Sequence, residues 1–266
     1  MSISPRLVDI HCHMLPGIDD GPRDWEESLV MARMAVADGM ATVIVTPHQL
    51  GNHRDNEGRT IRDRTAHFQQ FLDQHGVPLC VLPGADVRIE PDLIQKVRAG
   101  EVVTLADRGR YVLLELPHEI YLPLEGLLNN MHRAGLVGIL SHPERNAGIL
   151  REPRLVGPLV EAGCLMQVTS GSLLGHFGPE SQKLSEWLLA EGLIHFVATD
   201  AHGSTARRPL LRRAFDRVAE LAGHQVACDL CCSNPENIVA DQPVAAGRHR
   251  PNRVGLPRWF RWKRAS

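Results

Sequence analysis

Seven short apolar runs recur along this chain, and the last six each follow an amphipathic stretch that ends at or near a glycine. The runs are LVDIHCH (7–13), ATVIVTPH (41–48), VPLCVLPGADV (77–87), YVLLELP (111–117), VGILSHPER (137–145), LMQVTSGS (165–172) and HFVATDAH (195–202). The stretches between them read as helices. DWEESLVMARMAVADG opens with Asp24, has Glu27 three residues later in a capping-box-like start, and stops at Gly39. LEGLLNNMHRAG puts Leu124, Leu127, Leu128 and Met131 on one helical face and stops at Gly135. Near-continuous apolar strands alternating with helices predict an α/β chain with a parallel sheet buried on both faces. Seven such units in about 200 residues suit a closed or nearly closed β/α barrel. A doubly wound open sheet is the rival, weakened because no glycine-rich dinucleotide fingerprint follows the first strand. No linker rich in Pro, Gly or Ser interrupts the pattern before residue 240, so residues 1–246 read as one domain.

Composition removes several classes of function. Net charge is −2, from 29 basic and 31 acidic residues, which gives the whole molecule no nucleic-acid-like field. No stretch is apolar for long enough to cross a bilayer, and the N-terminus lacks the features of a signal peptide. Six scattered cysteines fit a reduced, cytoplasmic location. Cys12, Cys80 and Cys164 lie in strand-like runs, where a thiol behaves as a small hydrophobe. The cluster Cys228, Cys231 and Cys232 lacks the second cysteine pair of a zinc site and reads as core.

The polar residues fall at one end of the predicted strands. Strand one ends in His11 and His13, strand two in His48 and strand three in Asp86. Strand four carries Glu115, strand five His142, and strand seven Asp200 and His202. In β/α barrels the C-terminal strand ends build the active site. Positions 11 and 13 share a face, Cys12 points the other way, and Asp9 lies one step deeper, where it could orient a ligand histidine. A single histidine at a strand end is more often a satisfied polar cap than a ligand. Glu115 is different, because a carboxylate inside VLLELP needs a cation or a strong donor. Eight such groups reaching one rim from six strands predict a metal centre. Imidazole with carboxylate and no thiolate suits Mn²⁺, Fe²⁺ or Zn²⁺, with Co²⁺ possible, rather than Ca²⁺ or Mg²⁺ alone. The set exceeds one ion's need and implies two or three. Arg145 and Arg207 sit just beyond ligand-bearing strand ends, where arginine suits bidentate recognition of phosphate.

The motifs DIHCHMLPGIDDG, VTPH, SHPERN, QVTSGSLLGHFG, ATDAH and NPENIV together resemble one family across residues 7–240. It is the bacterial protein tyrosine phosphatases of the polymerase-and-histidinol-phosphatase (PHP) superfamily, regulators of capsule and exopolysaccharide. The resemblance implies a distorted seven-stranded, TIM-like (β/α)7 barrel of PHP type holding manganese, often three ions. Carried onto this chain, it implies one ion on His11, His13 and Asp200, with Glu115 bridging to a second that also takes His142 and Asp86. A third would take Asp20, His48 and His202, while Arg145 and Arg207 would bind phosphate. Asp19 would shape the turn beside Asp20. The implied reaction is hydrolysis of phosphotyrosine by hydroxide activated at the metal, on a membrane-linked bacterial tyrosine kinase. The chain departs from the family pattern at Asp86, where glutamate is usual, and at Arg208, where proline is more frequent. A one-methylene shorter carboxylate implies a closer backbone or a looser second metal. No cysteine is followed by arginine at the spacing of cysteine-dependent tyrosine phosphatases. The rival readings are a small-metabolite phosphatase of histidinol-phosphate type and a non-catalytic, metal-binding regulatory partner of the kinase.

From Gly247 the composition changes. The last stretch, residues 247–266, carries seven Lys/Arg, no acid, and Trp259, Phe260 and Trp262. Such a flexible basic and aromatic tail suits docking to an anionic membrane surface.

Overall fold

The computed structural model describes residues 6–248. The chain has a mixed α/β fold with parallel sheets. Its strands are β1 (Leu7–Cys12), β2 (Met40–Val45), β3 (His48–Gln49), β4 (Cys80–Pro83), β5 (Asp86–Arg88), β6 (Tyr111–Glu115), β7 (Val137–Ser141), β8 (Leu165–Thr169) and β9 (Phe196–Ala198). A three-stranded sheet runs β1-β2-β4 and a six-stranded sheet runs β3-β5-β6-β7-β8-β9. All pairings between these strands are parallel.

The sequence predicts seven strands, and the described residues hold nine strand segments. Two of the expected strands are each cut in two. ATVIVTPH breaks at Thr46 and Pro47, and VPLCVLPGADV breaks at Gly84 and Ala85. Proline has no N–H to give to a ladder. Pro47 instead accepts, its carbonyl taking the Asp86 N–H at 3.1 Å. A Cβ on Gly84 would come within 2.7 Å of Ile44 Cγ2, so glycine permits this close approach of the two strand paths. Beyond the breaks the same two paths pair again, β2 with β4 in the small sheet and β3 with β5 in the large one.

The two ends of the strand succession meet. Asp200 N donates to His11 O at 2.7 Å and His13 N donates to Ala201 O at 2.8 Å. Cys12 and Ala201 form an isolated parallel bridge. The segment after β9 therefore lies beside the end of β1, and their polar residues become neighbours although most of the chain separates them.

Both faces of the strands are buried, as near-continuous apolar runs require. One face contributes Ile44, Leu113, Ile139, Leu165 and Phe196 to a smaller apolar cluster. The other contributes Val43, Val112, Leu140, Met166 and Val197 to the main core, with Met31, Phe68, Leu128 and Leu184 from the helices. Each such side chain contributes about 1.5–3 kcal/mol of burial. Period-two alternation then fixes where polarity emerges. On β6 the column Tyr111, Leu113 ends in Glu115, and on β8 Leu165 is followed on its face by Gln167.

Local signals act largely as the sequence predicts. Asp24 caps the helix Trp25–Ala37 by accepting from Glu27 N at 2.9 Å, and Gly39 takes φ 97° after it. Glu27 returns to Arg23 N rather than to the cap, so the capping box is half formed. Cys231 and Cys232 are buried in the core, as expected. Cys80 is exposed, against expectation, because it opens β4 at the edge of the small sheet. Among the described residues no helix is long and apolar enough to cross a membrane. The last described segment runs past the N-terminal strand ends: Val244 N donates to Tyr111 Oη at 3.0 Å, and Gly247 O lies 3.2 Å from His195 Nε2. Residues 249–266, with most of the basic and aromatic tail, lie outside the described residues.

Candidate metal centre

Each predicted ligand arrives at the C-terminal rim from a different part of the strand array. His11 lies in β1 and His13 just beyond it, while His48 and Asp86 open β3 and β5 and pair with each other in register. Glu115 ends β6, His142 follows β7, and Asp200 and His202 follow β9. His11, His13 and Asp86 are fully buried, and Glu115, His142, Asp200 and His202 nearly so. Asp20 differs, with its side chain 60% exposed; it reaches in to 3.3 Å from His202 Nε2 and 3.5 Å from His48 Nε2.

The ligand atoms converge in four overlapping groups: His11, His142 and Asp200; His11, His13 and Asp86; His48, Asp86 and Glu115; and His13, Asp20, His48 and His202. The structure thus brings all nine candidates together. Its groupings differ from those the resemblance implies, since His142 falls with Asp200 and His48 joins Asp86 and Glu115. The set Asp20, His48 and His202 recurs, with His13 added.

The hydrogen bonds around the cluster orient the rings. Gln167 Oε1 lies 2.8 Å from His11 Nδ1, and Asp19 Oδ2 lies 2.7 Å from His13 Nδ1. With Nδ1–H donating to each oxygen, both Nε2 atoms carry lone pairs. Yet those two Nε2 atoms face each other at 3.3 Å. Two lone pairs at that distance call for a cation between them. Asp86 makes the same demand: neither carboxylate oxygen has a hydrogen-bond partner. Its Oδ2 faces ring nitrogens of His48, His11 and His142 at 3.5, 3.6 and 3.9 Å. Aspartate here reaches the cluster despite its shorter side chain. Neutral imidazoles with buried, unpartnered carboxylate oxygens fit divalent ions of the imidazole-and-carboxylate class.

Burial, with His202 nearby, lowers the His13 pKa to about 3, and burial lowers His142 to about 4, so both rings are neutral and ready to ligate at pH 7. Burial, reinforced by the Asp86 charge, raises Glu115 to about 8 despite Arg88. A divalent ion beside Glu115 would reverse that direction. Burial also pushes Asp86 up, but His11, His142 and His48 outweigh it and hold the carboxyl low. Asp200 is held well below the usual range because His11, Arg207, His142 and Arg145 together overcome its burial.

Arg145 and Arg207 both direct guanidinium N–H groups to Asp200 Oδ2, Arg207 at 2.6 Å. Arg208 is exposed, so Arg207 is the one that faces the cluster. His142, Asp200 and Arg207 have φ of 33°, 50° and 48°. Non-glycine residues held in this region cost about 1–3 kcal/mol each and gather at functional sites.

Sequence reasoning missed four participants and misplaced one. Gln167 carried a signal, since a polar side chain inside LMQVTSGS invites the argument made for Glu115. Asp19 does shape the turn, accepting from Gly21 N at 2.9 Å, but it also anchors His13 and accepts from His48 N at 3.0 Å. Arg88 adds a third guanidinium, 3.3 Å from Glu115 Oε2, and Phe177 lies beside the other two. Asp9 orients no ligand ring: it accepts from His11 N at 3.2 Å and from Thr199 N and Oγ1. The register shifts between Asp9 and Cys12, which breaks the simple alternation that put positions 9 and 11 on one face.

Residues 7–240 match the family model described as Capsular polysaccharide synthesis, CpsB/CapC. The chain belongs to the CpsB/CapC family. Among its relatives is tyrosine-protein phosphatase YwqE of Bacillus subtilis, 39% identical over 203 residues, which cover 76% of this chain and 79% of YwqE. Tyrosine-protein phosphatase CpsB of Streptococcus pneumoniae is 28% identical over 244 residues, covering 90% of this chain and all of CpsB. A solved structure from work on YwqE and CpsB, described there as unique metal-dependent tyrosine phosphatases, superposes with a TM-score of 0.87 at 35% identity. That match covers 94% of this chain and 100% of the other. Within this CpsB/CapC chain, Gln167 offers a test of the ring-orientation argument. Gln167→Leu should raise the dissociation constant of the tightest divalent-ion site about ten- to hundredfold by isothermal titration. An unchanged constant would contradict that role.

Proposed function

We propose that this CpsB/CapC protein is a metal-dependent phosphotyrosine-protein phosphatase. The observation that carries the reading is the buried convergence of histidine nitrogens and unpartnered Asp86 oxygens, with Arg145 and Arg207 at its edge. In this reading His11, His13, Asp20, His48, Asp86, Glu115, His142, Asp200 and His202 are ligands for two or three ions, Mn²⁺ foremost. Ions bound there supply an acidified water and positive charge against the phosphoryl oxygens.

The chain's own residues do the rest. Gln167 and Asp19 hold the Nδ1 protons of His11 and His13, so both rings present Nε2 inward. Arg145 and Arg207 offer planar N–H donors to the non-bridging phosphate oxygens, where charge spreads in the transition state. Asp200 gathers both guanidiniums toward one oxygen before substrate arrives. A tyrosine phenolate, with a pKa near 10, leaves more readily than an alkoxide and needs less help from an acid. All of this sits on a scaffold we read as a distorted seven-stranded, TIM-like (β/α)7 barrel, in which β2 with β3 and β4 with β5 each count as one strand path. The meeting of β1 with the segment after β9 supports closure.

The substrate in this proposal is a phosphotyrosine on a membrane-linked bacterial tyrosine kinase of capsule or exopolysaccharide synthesis. The protein would work in the cytoplasm at the inner membrane face, a reducing location that suits six unpaired cysteines. Residues 1–246 form the phosphatase unit and 247–266 the basic tail. Gly247 lies at the N-terminal strand ends, so a tail held on anionic lipid would leave the catalytic rim facing away from the bilayer.

Three experiments test these readings. After chelation, the protein should lose hydrolysis of a phosphotyrosyl peptide, regain it with Mn²⁺, and prefer that peptide to histidinol phosphate. His13→Ala should lower kcat/KM by more than about a hundredfold. Preference for histidinol phosphate, or full activity in His13→Ala, would overturn the proposal. Full-length protein should sediment with phosphatidylserine liposomes more than residues 1–246 do; equal partitioning would remove the tail's role.

A further inference from the structure

β8 carries no candidate ligand, yet the chain that follows it reaches the same rim. Thr169 leads into the short helix Ser170–Leu173, and the turn beyond presents Phe177. The Phe177 ring lies beside two guanidiniums: Arg145 Cζ is 4.4 Å from its centroid and Arg207 Cζ is 6.0 Å. The turn is shaped around the ring. His176 N donates to Gly171 O at 2.8 Å, and Gly175 and Gly178 adopt φ of 80° and 89°. A Cβ on Gly171 would stand 2.9 Å from Phe177 Cε2, so the glycine leaves the space that the ring edge fills.

We infer that Phe177 is a positioning residue that holds Arg145 and Arg207 together in the geometry that receives phosphate. The inference rests on the reading of these arginines as phosphate ligands. Two guanidiniums converging on one point repel each other, and something must hold them. A carboxylate does so by consuming N–H donors and cancelling charge, as Asp200 does on one side. An aromatic ring attracts each cation through its quadrupole and leaves the in-plane donors free. Phe177 therefore supports both arginines without competing with the substrate for their hydrogen bonds. This gives the motif QVTSGSLLGHFG a role at a site to which it contributes no ligand.

The test uses full-length, Mn²⁺-loaded protein hydrolysing 4-nitrophenyl phosphate, with inorganic phosphate as competitive inhibitor. Phe177→Leu should raise both KM and the phosphate inhibition constant about three- to tenfold, and Phe177→Tyr should restore both to within about twofold. Arg145→Ala should also weaken phosphate, and adding Phe177→Leu to it should cost less than the product of the separate effects. A rise in KM with an unchanged phosphate constant would make the ring a platform for the substrate's aryl group and overturn the inference. So would a Phe177→Leu protein with both constants unchanged. If Arg145→Ala and Arg207→Ala each leave phosphate inhibition intact, the phosphate-site reading itself fails, and the inference falls with it.

Discussion

Asp86 is a fully buried carboxylate with no hydrogen bond to either oxygen, ringed by nitrogens of His11, His48 and His142, and burial lowers the pKa of the last two. An isolated buried carboxylate is among the costliest groups a fold can hold. A hydrogen-bonded core would have spent nearby donors on it. Here the neighbouring donors are turned elsewhere: His11 uses Nδ1 on Gln167, His13 on Asp19, and both arginines point to Asp200. The arrangement is stable when positive charge enters from outside the chain. That requirement explains why the rings are anchored from behind and why left-handed backbone persists at His142, Asp200 and Arg207.

The fold serves that requirement by geometry. Parallel strands place their C-terminal ends side by side, so one polar residue per strand, following an apolar column, produces a cluster without any long loop. The contact between β1 and the segment after β9 is decisive, because it brings His11 and His13 to Asp200 and His202. β8 contributes differently. Its Gln167 orients a ligand, and the turn beyond supplies the aromatic ring beside the arginines.

Much of this is legible in the sequence because its two periodicities are strong. Alternation of helix and apolar strand announces the parallel sheets, and the position of each polar residue at the end of a run announces the rim. What stays hidden has specific physical causes. The breaks that make nine segments depend on Pro47 and on the close approach at Gly84, which concern neighbouring strands rather than one run. Asp9 is displaced by a register shift that no period-two count contains. The ligand groupings depend on distances across the strand array, so motifs alone do not show that His142 also falls with His11 and Asp200, or that His48 also joins Asp86 and Glu115. Asp19 sits beside a more exposed aspartate, and only the folded turn reveals that it anchors His13.

The central claim is that the cluster around Asp86 is completed by divalent cations. Anomalous diffraction at the manganese edge, from crystals soaked in Mn²⁺, tests it most directly. The account predicts peaks within bonding distance of His11 Nε2, His13 Nε2 and an Asp86 carboxylate oxygen. A fully soaked crystal with manganese at surface carboxylates and no peak in this cluster would contradict it.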